Sequence, residues 1–344
     1  MGMVVGTLPG LTATMGTALL VPFTFALDPG PGIAMLGGLY VCAMFSDAIP
    51  ACLVNTPGTP AAMATAFDGH PMVLEGRGQE AIVGACFSSA LGTFFGAACY
   101  LLLAFPMIAI ALMFGPAEFF WLGIFALTII GSLAGDSILK GLAGGGIGLL
   151  ISAVGISHAN EVARFTFGVP EFRAGVSLVA GLIGVFAVPQ VLSMVAGLRR
   201  KEFIAEYKPK SGETMKTIKK VLAHPVHVIR SGVIGSFIGV LPGAGSVVAA
   251  LVSYSEAVRW AKDKSKFGKG DLRGVTASEI ANNAAAPASM VPLVTLGVPG
   301  SSPAAVIAGA LMLRGLTPGP ELFQTDGNLV FAFGWSLMIA GVVT

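Results

Sequence analysis

Long apolar stretches alternate with short polar ones along the whole chain. Segments at about 11–27, 31–54, 81–113, 117–135, 140–157, 174–198, 228–258, 280–313 and 328–344 are dominated by apolar and small residues. Several approach or exceed the roughly 20 apolar residues that a helix needs to cross a bilayer, and Ala81 to Phe114, Gly175 to Leu198 and Phe331 to Val343 contain almost no ionisable side chain. This pattern predicts an all-α, polytopic membrane bundle. Neither strand-like alternation nor a soluble core explains so many runs.

Charge separates the segments and orients them. Arg199 to Lys220 holds eight Lys/Arg against three Glu, and Arg259 to Arg273 holds six against two Asp; the positive-inside rule places both stretches in the cytoplasm. The apolar segment between them is interrupted by Leu241-Pro242-Gly243. If both flanks lie on one side, each arm is too short to span, so the segment is a re-entrant hairpin with Pro-Gly at its tip. A single kinked span with one basic loop outside is the competing reading.

The breaks repeat. Gly6-Thr7-Leu8-Pro9-Gly10 returns as Gly239-Val240-Leu241-Pro242-Gly243. A second break, Asn55-Thr56-Pro57-Gly58-Thr59-Pro60, returns as Gly297-Val298-Pro299-Gly300-Ser301-Ser302-Pro303. Two breaks in the same order indicate duplicated structure. The reading divides the chain into a first repeat core (1–80), connecting transmembrane helices (81–198), a basic cytoplasmic loop (199–227) and a second repeat core (228–344).

Local chemistry at the second break predicts helix starts. Thr59 before Pro60, and Ser302 before Pro303, each place a capping hydroxyl ahead of a proline at the first helical position. The helices that follow are expected to stop near Asp68 to Pro71 and near Arg314-Gly315, about half a bilayer in length. Their N-termini then lie near the midplane and offer unpaired N–H groups and partial positive charge to an anion. Candidate substrate-binding residues are therefore Asn55, Thr56, Pro57, Gly58 and Thr59 with Gly297, Val298, Pro299, Gly300, Ser301 and Ser302. The alternative for each is a structural kink or cap.

Candidates for hairpin tips and ion coupling are Leu8, Pro9, Gly10, Asp47, Leu241, Pro242, Gly243, Gly245, Ser246, Glu279, Asn282 and Asn283. A carboxyl in apolar surroundings is costly without a task or a partner. Asp136 and Lys140 are further candidates on the same ground; the alternative is that, four apart, they pair on one helical face or lie at a membrane edge. Carbonyls and hydroxyls at Asn55, Thr56, Thr295, Ser301 and Ser302 are a possible cation set. His70, His158, His224 and His227 sit beside loops and read as interfacial.

Composition then removes other classes. Apolar residues make up 54% and charged residues 11%, with mean hydropathy +0.82, against about 45–50% and about 25% in soluble domains. A net charge of +2 without a basic stripe gives no basis for nucleic-acid binding. Cys42, Cys52, Cys86 and Cys99 show no C-x-x-C spacing, so no metal site or disulfide framework is expected. No H-E-x-x-H or G-x-G-D is present, and an enzyme is not expected. Met1 to Gly6 is not read as a signal peptide.

The segments Gly6 to Leu11, Leu53 to Thr59, Asp68-Gly69-His70-Pro71-Met72, Arg164 to Gly168, Leu241 to Gly245, Glu279 to Asn283, Leu296 to Gly300 and Gly315 to Pro320 together resemble the large membrane subunit of the tripartite tricarboxylate transporter family, the TctA type. The resemblance covers nearly the whole chain. It implies ion-gradient-driven uptake of citrate-like or other carboxylates across the cytoplasmic membrane, with sodium or protons as coupling cation and no other cofactor. It also implies a small membrane subunit and an extracytoplasmic solute-binding protein as partners. Where the family has a tyrosine followed by Gly-Gly-Ser, this chain keeps Tyr40 but has Phe45-Ser46-Asp47. The family pattern includes a helix before the first Leu-Pro-Gly and further chain beyond 344, so both ends are expected to be missing. A passive anion channel and a non-transporting structural subunit are the alternatives.

Overall fold

The computed structural model describes residues 1–8, 11–115, 138–157, 162–176 and 212–344, with scattered positions between them. Pro9, Gly10, Asp136, His158 and most of the segments 117–135, 174–198 and 199–211 lie outside the described residues.

The protein is an all-α polytopic membrane bundle. Two short strands, Gly155–Ile156 and Ala163–Arg164, pair antiparallel beside a 3-10 turn at Pro170–Ala174. Helices α1 (Gly2–Thr7) and α2 (Ala13–Thr24) flank the first Leu-Pro-Gly. Then come α3 (Pro29–Ser46), α4 (Ala48–Val54), a 3-10 turn (Pro60–Ala62) leading into α5 (Met63–Leu74), and the long α6 (Gly78–Ala111). Helix α7 (Ile138–Ser152) precedes the strands, and α8 (Glu213–Leu222) precedes the second half. That half contains α9 (Pro225–Val240), α10 (Gly245–Trp260), α11 (Leu272–Ala288), α12 (Met290–Leu296), α13 (Ser302–Leu313) and α14 (Pro320–Val343).

Among the described residues three units are long and apolar enough to cross a membrane: Pro29–Val54, Gly78–Ala111 and Pro320–Val343. The element order is the same in both halves: hairpin, bent helix, break, half-helix, long helix. The equivalence thus runs through α6 and α14, because the long apolar helix follows the half-helix in each half.

The second hairpin returns to its side of entry. The guanidinium of Arg230, near the start of α9, lies over the ring of Trp260 at the end of α10, 5.7 Å from its centroid. Helix α8 meets α9 at 75° and is amphipathic: Thr217 and Val221 are buried while Lys216, Lys219 and Lys220 lie on its polar side. A helix of this kind suits the membrane surface. The kinked single span is therefore not what the chain adopts.

Small residues let the backbones meet. A Cβ on Gly2 or Gly6 of α1 would run into Leu39 and Ala43 of α3, and a Cβ on Gly235 or Gly239 of α9 would run into Ala281 and Ala285 of α11. The same four-residue glycine spacing docks each hairpin on the bent helix of its own half. Longer-range packing is exchanged between halves. Helix α6 lies against α11, α14 against α3, α13 against α2, and the Pro60–Ala62 turn against α10. This exchange brings the breaks together.

Candidate functional site

Each break is built alike. Asn55 closes α4 in the left-handed region at φ 52°, and Gly297 closes α12 at φ 71°. The amide of Thr56 donates to the Pro50 carbonyl (3.3 Å), as that of Val298 donates to Pro292 (3.2 Å). Gly58 N–H donates to the Asp47 carbonyl (3.3 Å), and Gly300 N–H to the Ser289 carbonyl (3.2 Å). Proline at 50 and 292 sits inside a short helix whose first turn needs no N–H from it.

The new helices then start from caps in equivalent places. Thr59 Oγ1 accepts from Ala61 N–H (3.3 Å) and donates to Asp47 Oδ2. Ser301 Oγ accepts from Ala304 N–H (3.3 Å), is hydrogen-bonded to Ser289 Oγ (3.0 Å), and accepts from the Tyr40 hydroxyl of the other half (3.2 Å). The cap is thus Ser301, one residue before the predicted Ser302. Proline at the second helical position is equally free of an N–H requirement, and Ser301 is the residue in register with Thr59.

Helix α5 runs to Leu74 instead of stopping near Pro71, because its far end is held. Asp68 Oδ1 accepts from the N–H groups of Lys269 (3.2 Å), Gly270 (2.9 Å) and Asp271 (2.8 Å), and Oδ2 accepts from the Tyr254 hydroxyl (2.9 Å).

Both caps face one cavity of about 360 Å3, within the roughly 300–1,000 Å3 of small-molecule sites. Thr59, Pro60 and Ala61 line it on one side, Ser301, Ser302 and Pro303 on another, Thr12 to Thr14 and Gly243 to Val247 from the two hairpins, and Tyr40 and Met44 from α3. Four helix starts converge there: α2, capped by Thr12 Oγ1 accepting from Met15 N–H (3.2 Å), the turn before α5, α10 with no side-chain cap, and α13. Among the described residues no Asp, Glu, Lys or Arg lines the cavity. Four partial positive ends, with no charged side chain among the described lining residues, make a field suited to an anion.

The other candidates are placed as follows. Gly243, Gly245 and Ser246 line the cavity; Leu8, Leu241 and Pro242 do not. Asn55, Thr56, Pro57, Gly58, Gly297, Val298, Pro299 and Gly300 form the frame behind the caps instead of the lining. The hydroxyls of Thr56 and Thr295 are bonded to the carbonyls of Val54 (3.2 Å) and Val291 (2.8 Å), so they are committed to their own turns. Asp47, Glu279, Asn282 and Asn283 are fully buried behind the Thr59 cap. Sequence reading missed Thr12, Thr14 and Met44. Thr12 has the signal of a cap hydroxyl just after Pro-Gly; Met44 has none.

Residues 1–344 match the Tripartite tricarboxylate transporter TctA family. The chain belongs to that family. Over its full length this TctA-family chain is similar, at 36% identity, to an "Uncharacterized 52.8 kDa protein in TAR-I ttuC' 3'region" of Agrobacterium vitis, covering 68% of that protein. A second Agrobacterium vitis protein, "Uncharacterized protein in TAR-II ttuC' 3'region", is 42% identical over 32% of this chain and 45% of its own length. No solved structure matches. Membership places the chain in a family of tripartite tricarboxylate transporters. Among the described residues no group of three or more His, Cys, Asp or Glu is placed to hold a metal ion.

Proposed function

We propose that this chain carries tricarboxylates or related organic carboxylates across the inner, cytoplasmic membrane as a secondary transporter driven by a sodium or proton gradient. In this reading it works with a small membrane subunit and an extracytoplasmic solute-binding protein, as family membership suggests. The observation that carries the proposal is the meeting of four helix N-termini from two duplicated halves around one cavity with no charged side chain among its described lining residues. Each such end favours a negative group by about 0.3–1 kcal/mol, up to about 2 kcal/mol when partly buried. Together they offset part of the cost of dehydrating carboxylate groups inside a membrane.

Exchange packing between the halves gives the carrier its moving parts. Because each hairpin docks on its own bent helix while touching the other half's half-helix, rocking of one half against the other would open the cavity to alternate sides. A static anion pore would show neither saturation nor gradient-driven accumulation.

The test is uptake of labelled carboxylates by the whole system in proteoliposomes under imposed sodium or pH gradients. Saturable accumulation is expected for the native protein, and Thr59→Leu and Ser301→Leu, which intrude on two of the four helix starts, should abolish it while still inserting. Unaltered uptake in both variants would overturn the site assignment.

A further inference from the structure

A different cavity lies at the base of the second hairpin, away from the breaks. It has a volume of about 400 Å3 and opens between the start of α9 and the end of α10. Arg230, Arg273, His224, His227 and Trp260 line it together with small apolar residues, and among the described residues no Asp or Glu does. An adjoining cavity of about 330 Å3 shares Arg273 and the two histidines, and there Arg77, Lys220 and Lys266 stand with Glu80 and Asp271.

The cations differ in what already holds them. Lys220 and Arg77 share Glu80 (2.6 and 2.9 Å), and Arg273 is paired with Asp271 (2.6 Å). Arg230 forms no ion pair among the described residues, since Glu256 of α10 is taken by Arg259 (3.2 Å) and Trp260 Nε1 (2.9 Å). One face of its guanidinium rests over the Trp260 ring, and its Nη2 alone has a hydrogen-bond partner, His227 Nδ1 at 3.4 Å. That nitrogen accepts, because His227 Nε2 is turned to the Arg273 carbonyl (3.1 Å). A guanidinium presents five N–H donors in a flat fork that matches two oxygens of a phosphate. Most of this fork is unused at the cavity wall. The uncapped first turn of α9 adds partial charge of the same sign beside it.

Apolar surface continues from the cavity along the hairpin. Val226, Val233 and Phe237 fall on the same side of α9 as Arg230, at intervals of three and four residues, and all three are exposed. Trp260 is exposed as well, and an indole at the end of a membrane helix suits the bilayer surface. A free anion would use only the fork. A phospholipid uses the fork and the apolar stripe together.

We infer that the base of the second hairpin is a site for an anionic phospholipid, with the phosphate on Arg230 and the acyl chains laid along Val233 and Phe237. Basic pockets between helix ends at a membrane surface take such headgroups. A lipid seated there bridges the entering arm α9 and the returning arm α10, and so steadies a hairpin whose far end, Gly243 to Val247, lines the anion cavity. The lipid site stands whether or not the chain is a carrier.

The test is binding of labelled phosphatidylglycerol to the purified full chain in detergent, with unlabelled phosphatidylglycerol, phosphatidylcholine and inorganic phosphate as competitors. Saturable binding is expected that phosphatidylglycerol alone displaces. Arg230→Gln should weaken it at least about fivefold, the effect of one basic side chain near a membrane surface; Phe237→Ser should weaken it too, and Ser336→Ala should leave it unchanged. A greater rise in melting temperature with phosphatidylglycerol than with phosphatidylcholine in the native protein checks the site should Arg230→Gln fail to fold. Equal binding of the two lipids, an equal effect of both on melting, or binding unaltered in Arg230→Gln overturns the proposal. Displacement by inorganic phosphate with no response to Phe237→Ser would make this a site for a free anion, and loss of the lipid on adding the small membrane subunit would make the stripe a protein interface; either result overturns it as well.

Discussion

Gly58 packs directly on the backbone of Gly6, so that a Cβ at Gly58 would run into the Gly6 carbonyl oxygen and crowd Asp47. This contact ties the first break to the arm of the first hairpin. The equivalent Gly300 is tight against Ser289 of its own half instead. The duplicated breaks share hydrogen bonds but differ in what they touch.

Gly58→Ala should therefore act through backbone displacement. Overpacking of a close-packed site costs about 1–3 kcal/mol, and here the obstacle is a carbonyl and not a side chain that can turn away. A lower melting temperature in detergent is expected, with uptake reduced at least about tenfold. A native melting curve and native uptake would show that the first hairpin and the first break move independently.

Ser301 and Ser302 are adjacent but do different work. Ser301→Ala removes a cap worth about 0.5–2 kcal/mol and leaves the Tyr40 hydroxyl and Ser289 without their shared partner. Ser302, exposed at the cavity, contributes no such cap, and Ser302→Ala should leave melting close to native. The opposite order of stabilities in thermal unfolding would return the cap to Ser302.

Asp271 sets a pH dependence outside the membrane. Burial opposes its charge, but Arg273 outweighs that by a guanidinium contact (2.6 Å) and a backbone N–H bond (2.9 Å), holding the carboxyl below the ordinary carboxylate range. A carboxylate depressed in the folded state contributes stability above its unfolded value and loses it as pH falls through the lower folded value. Arg273→Gln should accordingly move the acid unfolding transition to higher pH. An unchanged transition would mean that the pair adds nothing to holding the loop from 261 to 271.

The membrane class, the paired breaks and the helix start at Thr59 were legible because they rest on local signals: apolar run length, Pro-Gly, and a hydroxyl before proline. The Ser301 cap was misplaced by one because Ser301 and Ser302 are both hydroxyls and only the register with Thr59 separates them. Thr14 and Met44 enter the cavity through the packing of α2 and α3 against α13 of the other half, and no local pattern encodes which half a helix will meet. The frame role of Asn55 to Gly58 was hidden for the same reason. A break marks where the chain turns, while the residues just after it, not those within it, carry the free N–H groups.

The cavity can be probed without knowing the transported carboxylate. Ser302 is exposed at the wall between the two halves, and Cys52 is fully buried while Cys42, Cys86 and Cys99 are half-buried. With the four native cysteines replaced by alanine, Ser302→Cys should react with a charged, membrane-impermeant thiol reagent, because a water-filled cavity supports the thiolate that reacts. Thr295→Cys, on a buried turn bonded to its own helix, should not. If four helix starts gather an anion beside position 302, saturating citrate-like carboxylate should slow labelling at least about threefold, since a bound solute in a cavity of about 360 Å3 leaves little room for the reagent. An uncharged sugar should not protect. Labelling of Ser302→Cys that no carboxylate slows would place the anion elsewhere in the bundle, and a complete lack of reaction would mean that the cavity is dry.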